Sequence, residues 1–279
     1  MKMRTFNAMH YQEFLPSSLL QSYVQCFFIC ETDTDVVVND SVFASGVVEI
    51  MFNLGAGGPQ QILNGGLVRE PSVQLWGQTI RPFTFTSFRK HTMLGLRFFP
   101  HTAACFFDAP IALFNDQMID LEDVAGREIR LLHAKLMEIS SVKQKIGLLE
   151  QFLLARIARF DNKSDRVQMV GSILSELKRE DFFENIDSIA GRYGISSRYL
   201  QKLFVSYSGL SPSLFTKIAR FQRSLRLLNK GTLSLTAIAH HCGYFDQSHF
   251  IKDFRAFTGT VPSHFQQELS SEVVTASNY

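Results

Sequence analysis

The chain has 279 residues, is 46% hydrophobic and carries a formal net charge of +2 at pH 7. That length accommodates two domains with separate cores, and no segment reaches the roughly 20 consecutive apolar residues that span a bilayer, which excludes a membrane-spanning helix. The opening stretch MKMRTFNAMHYQEF lacks the apolar core of a secretory signal, and the expectation is a cytoplasmic protein with no membrane partner.

The four cysteines, Cys26, Cys30, Cys105 and Cys242, show neither CxxC nor paired metal-ligand spacing, and read as buried, reduced thiols. The near-neutral total conceals an asymmetry. Residues 190–260 hold ten Lys/Arg against Asp246 and Asp253, net +8, which leaves 18 basic against 24 acidic residues elsewhere, net −6. A basic C-terminal segment on an acidic body is what a phosphate-binding module presents electrostatically.

In chain order, residues 1–22 read as a lead-in with a short helix opened by Pro16 and Ser17. From there to about residue 99 the pattern is strand: YVQCFFIC, DVVV, VVEIMFNL, FTFTSF and MLGLRFF are rich in β-branched and aromatic residues. GAGGPQ (55–60) and NGG (64–66) read as turns, with Asn64-Gly65 a hairpin signal. Leu94, Leu96 and Phe98 alternate with Gly95 and Arg97, which predicts one buried face. Helices and strands do not alternate, so an antiparallel sheet or small barrel is expected instead of a doubly wound fold.

After Pro100 the pattern turns helical. HTAACFF predicts a short helix, DAPIALFND a loop, residues 118–139 one helix opened by Asp120, and residues 142–160 another. In the last, Ile146, Leu149, Leu153 and Ile157 form one stripe, suited either to packing on the sheet or to a dimer seam. The polar DNKSD at 161–165 reads as a linker, and VQMVGSILSELKRE as the first helix of a C-terminal module.

Residues 186–265 contain one pattern twice. IDSIAGRYGISSRYLQKLF with SGLSPSLF recurs as LTAIAHHCGYFDQSHFIKDF with TGTVPSHF. Ile189, Ala190 and Gly194 recur 49 residues later as Ile238, Ala239 and Gly243, whereas Leu200, Phe204, Gly209, Pro212 and Phe215 recur 50 residues later. The second copy therefore has one extra residue after its glycine. Within each copy the logic is helix, glycine turn, helix, the spacing of a DNA-binding helix-turn-helix. Ser196 or Ser197 is expected to cap one second helix and Asp246 the other. A long helix opened by Ser211-Pro212 and closed by Gly231 joins the copies. His240 and His241 read as a helix end, and residues 269–279 as a tail.

These residues resemble the AraC/XylS transcriptional regulators over about residues 170–266. The resemblance rests on Arg220, Arg223, Ser224, Leu227 and Leu228, then Ile238-Ala239, Gly243-Tyr244, DQSHF, the FR at 254–255, and Gly259 with Pro262. It implies seven helices, with both recognition helices in successive major-groove segments on one face of double-stranded DNA. It also implies RNA polymerase as a partner and an activating role. The first 160 residues look like the N-terminal domain of a subgroup, on P-x-x-L…YV, VVEIMFNLG and GLRFFPHTAACFF.

The reading is thus α+β. A mainly antiparallel β sensory or oligomerisation domain, cupin-like by distant analogy, covers 1–163, with strands to about 99 and helices over 100–160. An all-α domain covers 164–268, with helix-turn-helix motifs at 186–206 and 235–257. The residues expected to meet DNA are Ser197, Arg198, Gln201 and Lys202, then Gln247, Ser248, His249 and Lys252, with Lys217, Arg220 and Arg223 on the joining helix. Arg226 is spaced so that it drifts round that helix. A small-molecule effector and a homodimer are further candidate partners, and no cofactor is expected. Trp76, Arg81, Arg89 and Arg97 either line an apolar pocket with a cationic anchor or lie in core and surface.

Two other readings compete. A metal enzyme would need clustered ligands, but His91 and His101 are ten apart without HxH and Glu49 stands alone. A DNA-organising protein would bind without sequence preference.

Overall fold

The computed structural model describes the chain except residues 1–3, 7–8, 33–37, 56–57, 64–65, 89, 160–163, 179–184 and 272–279. Eleven strands among the described residues form two antiparallel sheets. The seven-stranded sheet runs in the order β1 (Arg4–Phe6), β2 (Met9–Phe14), β3 (Val24–Thr32), β10 (His91–Phe98), β5 (Glu49–Asn53), β8 (Val73–Trp76) and β11 (Met118–Asp120). The four-stranded sheet runs β4 (Val38–Val42), β9 (Phe83–Phe88), β6 (Gly58–Leu63), β7 (Gly66–Arg69).

Central β10 is buried on both faces, which departs from the expected single buried face. Leu94, Leu96 and Phe98 join the main core. Met93 and Arg97 on the opposite face are buried as well, because that face turns towards the smaller sheet, as the Trp76–Phe83 ring contact across the two sheets illustrates. The register places Arg97 opposite Glu49 on one side and Cys26 on the other.

Glu49 does not stand alone: Arg97 Nε donates to its Oε1 at 2.6 Å, while Arg97 Nη1 and Nη2 reach Glu13 and the Tyr11 hydroxyl at 3.5 Å. Burial, partly offset by the Arg97 guanidinium, pushes the Cys26 thiol up to about 12, so this thiol stays protonated at neutral pH. None of the four cysteines is in a disulfide, and three of them are buried.

Several expectations are corrected. Met9–Phe14, taken as lead-in, is a strand paired with β3. Leu20 and Gln21 amides donate to Ser17, and Tyr23 and Val24 amides to Leu20, making successive turns in place of the helix expected after Pro16. Residues 58–60 of the GAGGPQ turn belong to β6. Leu63 pairs with Gly66, as a two-residue hairpin requires, though Asn64 and Gly65 lie outside the described residues, as does most of DVVV.

The helix expected over 118–139 is three pieces: β11, then α1 (Leu121–Ala125), then α2 (Glu128–Glu138). Gly126 breaks it with φ +82°, and Met118–Asp120 pair with β8 instead of coiling. Asp120 does cap, accepting from the Glu122 amide at 2.9 Å. HTAACFF and DAPIALFND contain only 3-10 turns, Ala103–Cys105 and Ile111–Phe114.

α3 (Val142–Ile157) turns Ile146, Leu149 and Leu153 into the core, so its stripe packs within the chain. α4 (Ser164–Leu177) begins inside the expected linker, of which residues 161–163 lie outside the described set. Then come α5 (Ile186–Arg192), α6 (Ser197–Ser208), α7 (Pro212–Lys230), α8 (Leu235–His241), α9 (Gln247–Thr258) and α10 (Pro262–Ser271). From α4 to α10 these are the seven helices that the resemblance implies.

The sheet region touches both copies of the repeat. Gln78 Nε2 donates to the Ser208 carbonyl and Asn115 Nδ2 to the Gly209 carbonyl, at the end of the first copy. Phe43 stacks edge-on against Phe265, in the last helix of the second copy, with ring centroids 5.6 Å apart. Between them, Gln222 of α7 donates to the Ala44 carbonyl.

Candidate nucleic-acid interface

Each copy builds its helix pair from the same local parts. The first helices, α5 and α8, are capped by Asn185 and Ser234. They bury Ile189-Ala190 and Ile238-Ala239, whose small alanines allow the second helix to cross closely. Gly194 and Gly243 then adopt φ +64° and +72°, left-handed turns that residues with a Cβ enter only at a cost. Ser196, not Ser197, caps α6 by accepting from the Tyr199 amide, and Asp246 caps α9 by accepting from the His249 amide at 2.7 Å. Leu200, Leu203 and Phe204 bury one face of α6, and Phe250, Phe254 and Phe257 the matching face of α9.

The equivalence extends to a polar tie. The first residue of each second helix bonds the second residue of its first helix. Ser197 Oγ donates to Asp187 Oδ1, and Thr236 Oγ1 donates to Gln247 Oε1 at 2.8 Å. Asp187 and Thr236 are 49 positions apart, Ser197 and Gln247 are 50. Both Ser197 and Gln247, expected at the DNA contact, are half-buried and bonded to the first helix of their own copy. Sequence reasoning missed Asp187 and Thr236, although their spacing within the repeat is the signal that finds them.

Arg198, Gln201 and Lys202 on α6, and Ser248 and Lys252 on α9, are exposed. His249 is half-buried against the Tyr244 ring. On α7 the fates differ. Lys217 is exposed, with its Nζ 3.6 Å from Asp253 Oδ1. Arg223 Nη2 donates to the Lys178 carbonyl at 3.1 Å, which holds that side chain along α4.

Asp253 is a buried acid on α9 that also lies 3.8 Å from His249 Nε2. It therefore offsets part of the positive charge at this surface. An open cleft of about 470 Å³ is bordered by α4, α5, α6, α7 and α9, and Gln201, Lys217, Arg220 and His249 all line it. Residues from both copies and from the joining helix thus border one cationic cleft, with Ser211, Pro212 and Ser213 at the start of α7 also in its lining.

Among the described residues no three metal-ligating side chains converge, and no helix is long and apolar enough to cross a membrane. Trp76 Nε1 donates to Gln74 Oε1 at 2.7 Å, and Arg81 is exposed. Arg97 is the buried partner of Glu49, and Arg89 lies outside the described residues.

Residues 189–268 match the family model of a helix-turn-helix domain, and residues 12–120 match a domain of unknown function (DUF6597). The HTH-type transcriptional activator RhaS of Escherichia coli O157:H7 is 26% identical over 148 residues, 53% of this chain and 48% of that protein. The Msm operon regulatory protein of Streptococcus mutans is 26% identical over 183 residues, 65% of this chain and 63% of that protein. The chain thus spans about half to two thirds of the length of these curated relatives. Among solved structures, ToxT from Vibrio cholerae overlaps 97% of this chain with a TM-score of 0.46 at 11% identity.

Proposed function

We propose that the protein is an AraC/XylS-type, sequence-specific, DNA-binding transcription regulator that acts as an activator, a reading supported by the match of residues 189–268 to a helix-turn-helix family model. On this reading a regulatory unit over 1–163 comprises the sheets with α1, α2 and α3, and a DNA-binding unit over 164–268 begins at α4. The observation that carries the reading is the shared cleft. Gln201 of α6 and His249 of α9 border one opening with Lys217 and Arg220 of α7, which supports a reading in which the two second helices serve one surface.

On this reading Arg198, Gln201 and Lys202 enter one major-groove segment, and Ser248, His249 and Lys252 enter the next. Gln201 matches the paired donor and acceptor on adenine, and Arg198 the two acceptors on guanine, each good pair being worth about 1–3 kcal/mol of discrimination. Lys217 and Arg220 meet the backbone phosphates that pass between the two segments, which positions the chain without reading sequence. Ser197 and Gln247 act from behind, by holding the helices at their angle. A small-molecule effector, a second copy of the chain and RNA polymerase are the partners such a regulator takes, the first two through the sheet region.

Selection of duplexes from a random library by the purified chain tests this directly. The expected product is an asymmetric site with two preferred blocks about one helical turn, 10–10.5 base pairs, apart. Enrichment without sequence preference would mean a DNA-organising protein, and no enrichment would overturn the reading.

A further inference from the structure

The two copies of the repeat differ in length by one residue, and the structure identifies which. The Ile195 amide donates to Ala190, and the Tyr244 amide to Ala239, both at 3.0 Å, so Ile195 and Tyr244 are equivalent. Ser196 and Asp246 are equivalent as the caps of α6 and α9. The extra residue is therefore Phe245, which stands alone between Tyr244 and the cap.

A large apolar residue just before a helix cap ordinarily folds back onto the fourth residue of the helix, as a hydrophobic staple. Here that fourth residue is Phe250, and its ring is already taken: Tyr244 packs on it with centroids 5.3 Å apart, and Phe254 at 5.6 Å. Phe245 is left 89% exposed. Every other phenylalanine whose side chain is described in the second half of the chain is buried or half-buried. Single exposed apolar residues are ordinary on protein surfaces; this one is set apart by its position. It precedes the N-terminal turn of α9, the turn whose His249 lines the cationic cleft with Gln201 and Lys217. N-terminal residues of a recognition helix are those that reach base edges.

We propose that Phe245 reads a thymine, by placing its ring against the 5-methyl group in the major-groove segment that α9 enters. The inference rests on the DNA-binding reading above and adds one base to what that reading assigns. Three features favour the methyl. Phe245 has no polar atom with which to pair a phosphate or an amide edge. Apolar contact with the thymine methyl is the sequence-dependent interaction that a phenyl ring makes in this groove. The Lys217, Arg220 and His249 side chains that line the cleft supply backbone attraction without competing for that methyl.

The test uses the full chain and the duplex it selects from a random library. Each thymine is replaced in turn by deoxyuridine, which keeps every hydrogen bond and removes only the methyl. At one thymine in the α9 block the wild-type chain should lose about fourfold in affinity, the factor that one buried methyl supplies. Phe245→Ser should bind the thymine and uridine forms of that duplex equally, and should lose the thymine preference at that position when selection is repeated. Because the side chain is exposed, the variant should unfold at the wild-type temperature.

Indifference of the wild-type chain to every replacement overturns the proposal while leaving specific binding intact. So does a uridine penalty that persists in Phe245→Ser, since another group would then be reading the methyl. Failure to select any duplex would overturn the underlying reading instead.

Discussion

The imidazole of His101, which follows β10, lies against the bare Cα of Gly171 in α4: a Cβ placed on Gly171 would stand 2.6 Å from Nε2. Helix-interior Gly→Ala normally gains up to about 1 kcal/mol. Here overpacking of the kind that costs about 1–3 kcal/mol opposes that gain and outweighs it. Gly171→Ala should therefore lower the unfolding temperature. In a His101→Ala background the same change should raise it, and thermal unfolding of the four chains checks the reversal of sign.

Burial, with Lys178 as a second and smaller cause, lowers the His101 pKa from 6.5 to about 4. The unfolded chain therefore takes up a proton at a higher pH than the folded chain does. Stability carries no penalty above about pH 7, declines as pH falls below the unfolded value, and has lost at most about 3 kcal/mol once pH is below both. Denaturant unfolding between pH 7.5 and 4.5, compared with His101→Asn, isolates the effect, because carboxylates titrate in both chains. Parallel curves for the two would contradict it.

Arg97 and Glu49 are both buried and bonded at 2.6 Å. Glu49→Ala leaves a guanidinium in the protein interior without its nearest carboxylate, with Glu13 a more distant one. The expected cost is about 3–5 kcal/mol. Replacing both residues, as in Arg97→Met with Glu49→Leu, should cost far less than the sum of the two single changes. A double-mutant cycle in urea measures the coupling.

Gln201→Ala should relax base preference at one position of the selected site and leave the others unchanged. Lys217→Ala should weaken binding to all duplexes alike and reduce the slope of log affinity against log salt by about one. Lys217 also faces the buried carboxylate of Asp253 at 3.6 Å, so its removal should lower stability, which Gln201→Ala should not. Equal losses from both substitutions on every probe would refute the assignment of α6 to base readout.

The helical half was largely legible in the sequence because its information is periodic. Two copies in register place Gly194, Gly243 and the aromatic faces of α6 and α9 without reference to anything distant. The repeat alone also isolates an extra residue after Gly243, but only packing decides that Tyr244 turns inward and Phe245 is left out. The sheet half was less legible because its determinants are cross-strand. MHYQEF carries too much polarity to read as a strand until Arg97, 86 positions from Tyr11 and 84 from Glu13, gives both a buried partner. Arg97 likewise looks like a surface residue to any rule of alternation, since nothing local announces a second sheet over β10. Ser197 and Gln247 read as outward because they sit one step from the outward stripe, and their ties to Asp187 and Thr236 are visible only once both helices are in place.

The grip of the sheet region on Ser208 and Gly209 at one copy and on Phe265 at the other has a consequence for the geometry of an operator. Two readers on a flexible joint would follow their half-sites around the duplex when the spacing changes. These two are pinned at opposite ends to a common scaffold, with Gln222 bonded to it between them. Adding one base pair between half-sites turns one against the other by about 34–36° and lengthens the span by about 3.4 Å, a mismatch that twisting DNA must absorb if the protein does not. On the proposed reading, the chain is a ruler as much as a reader.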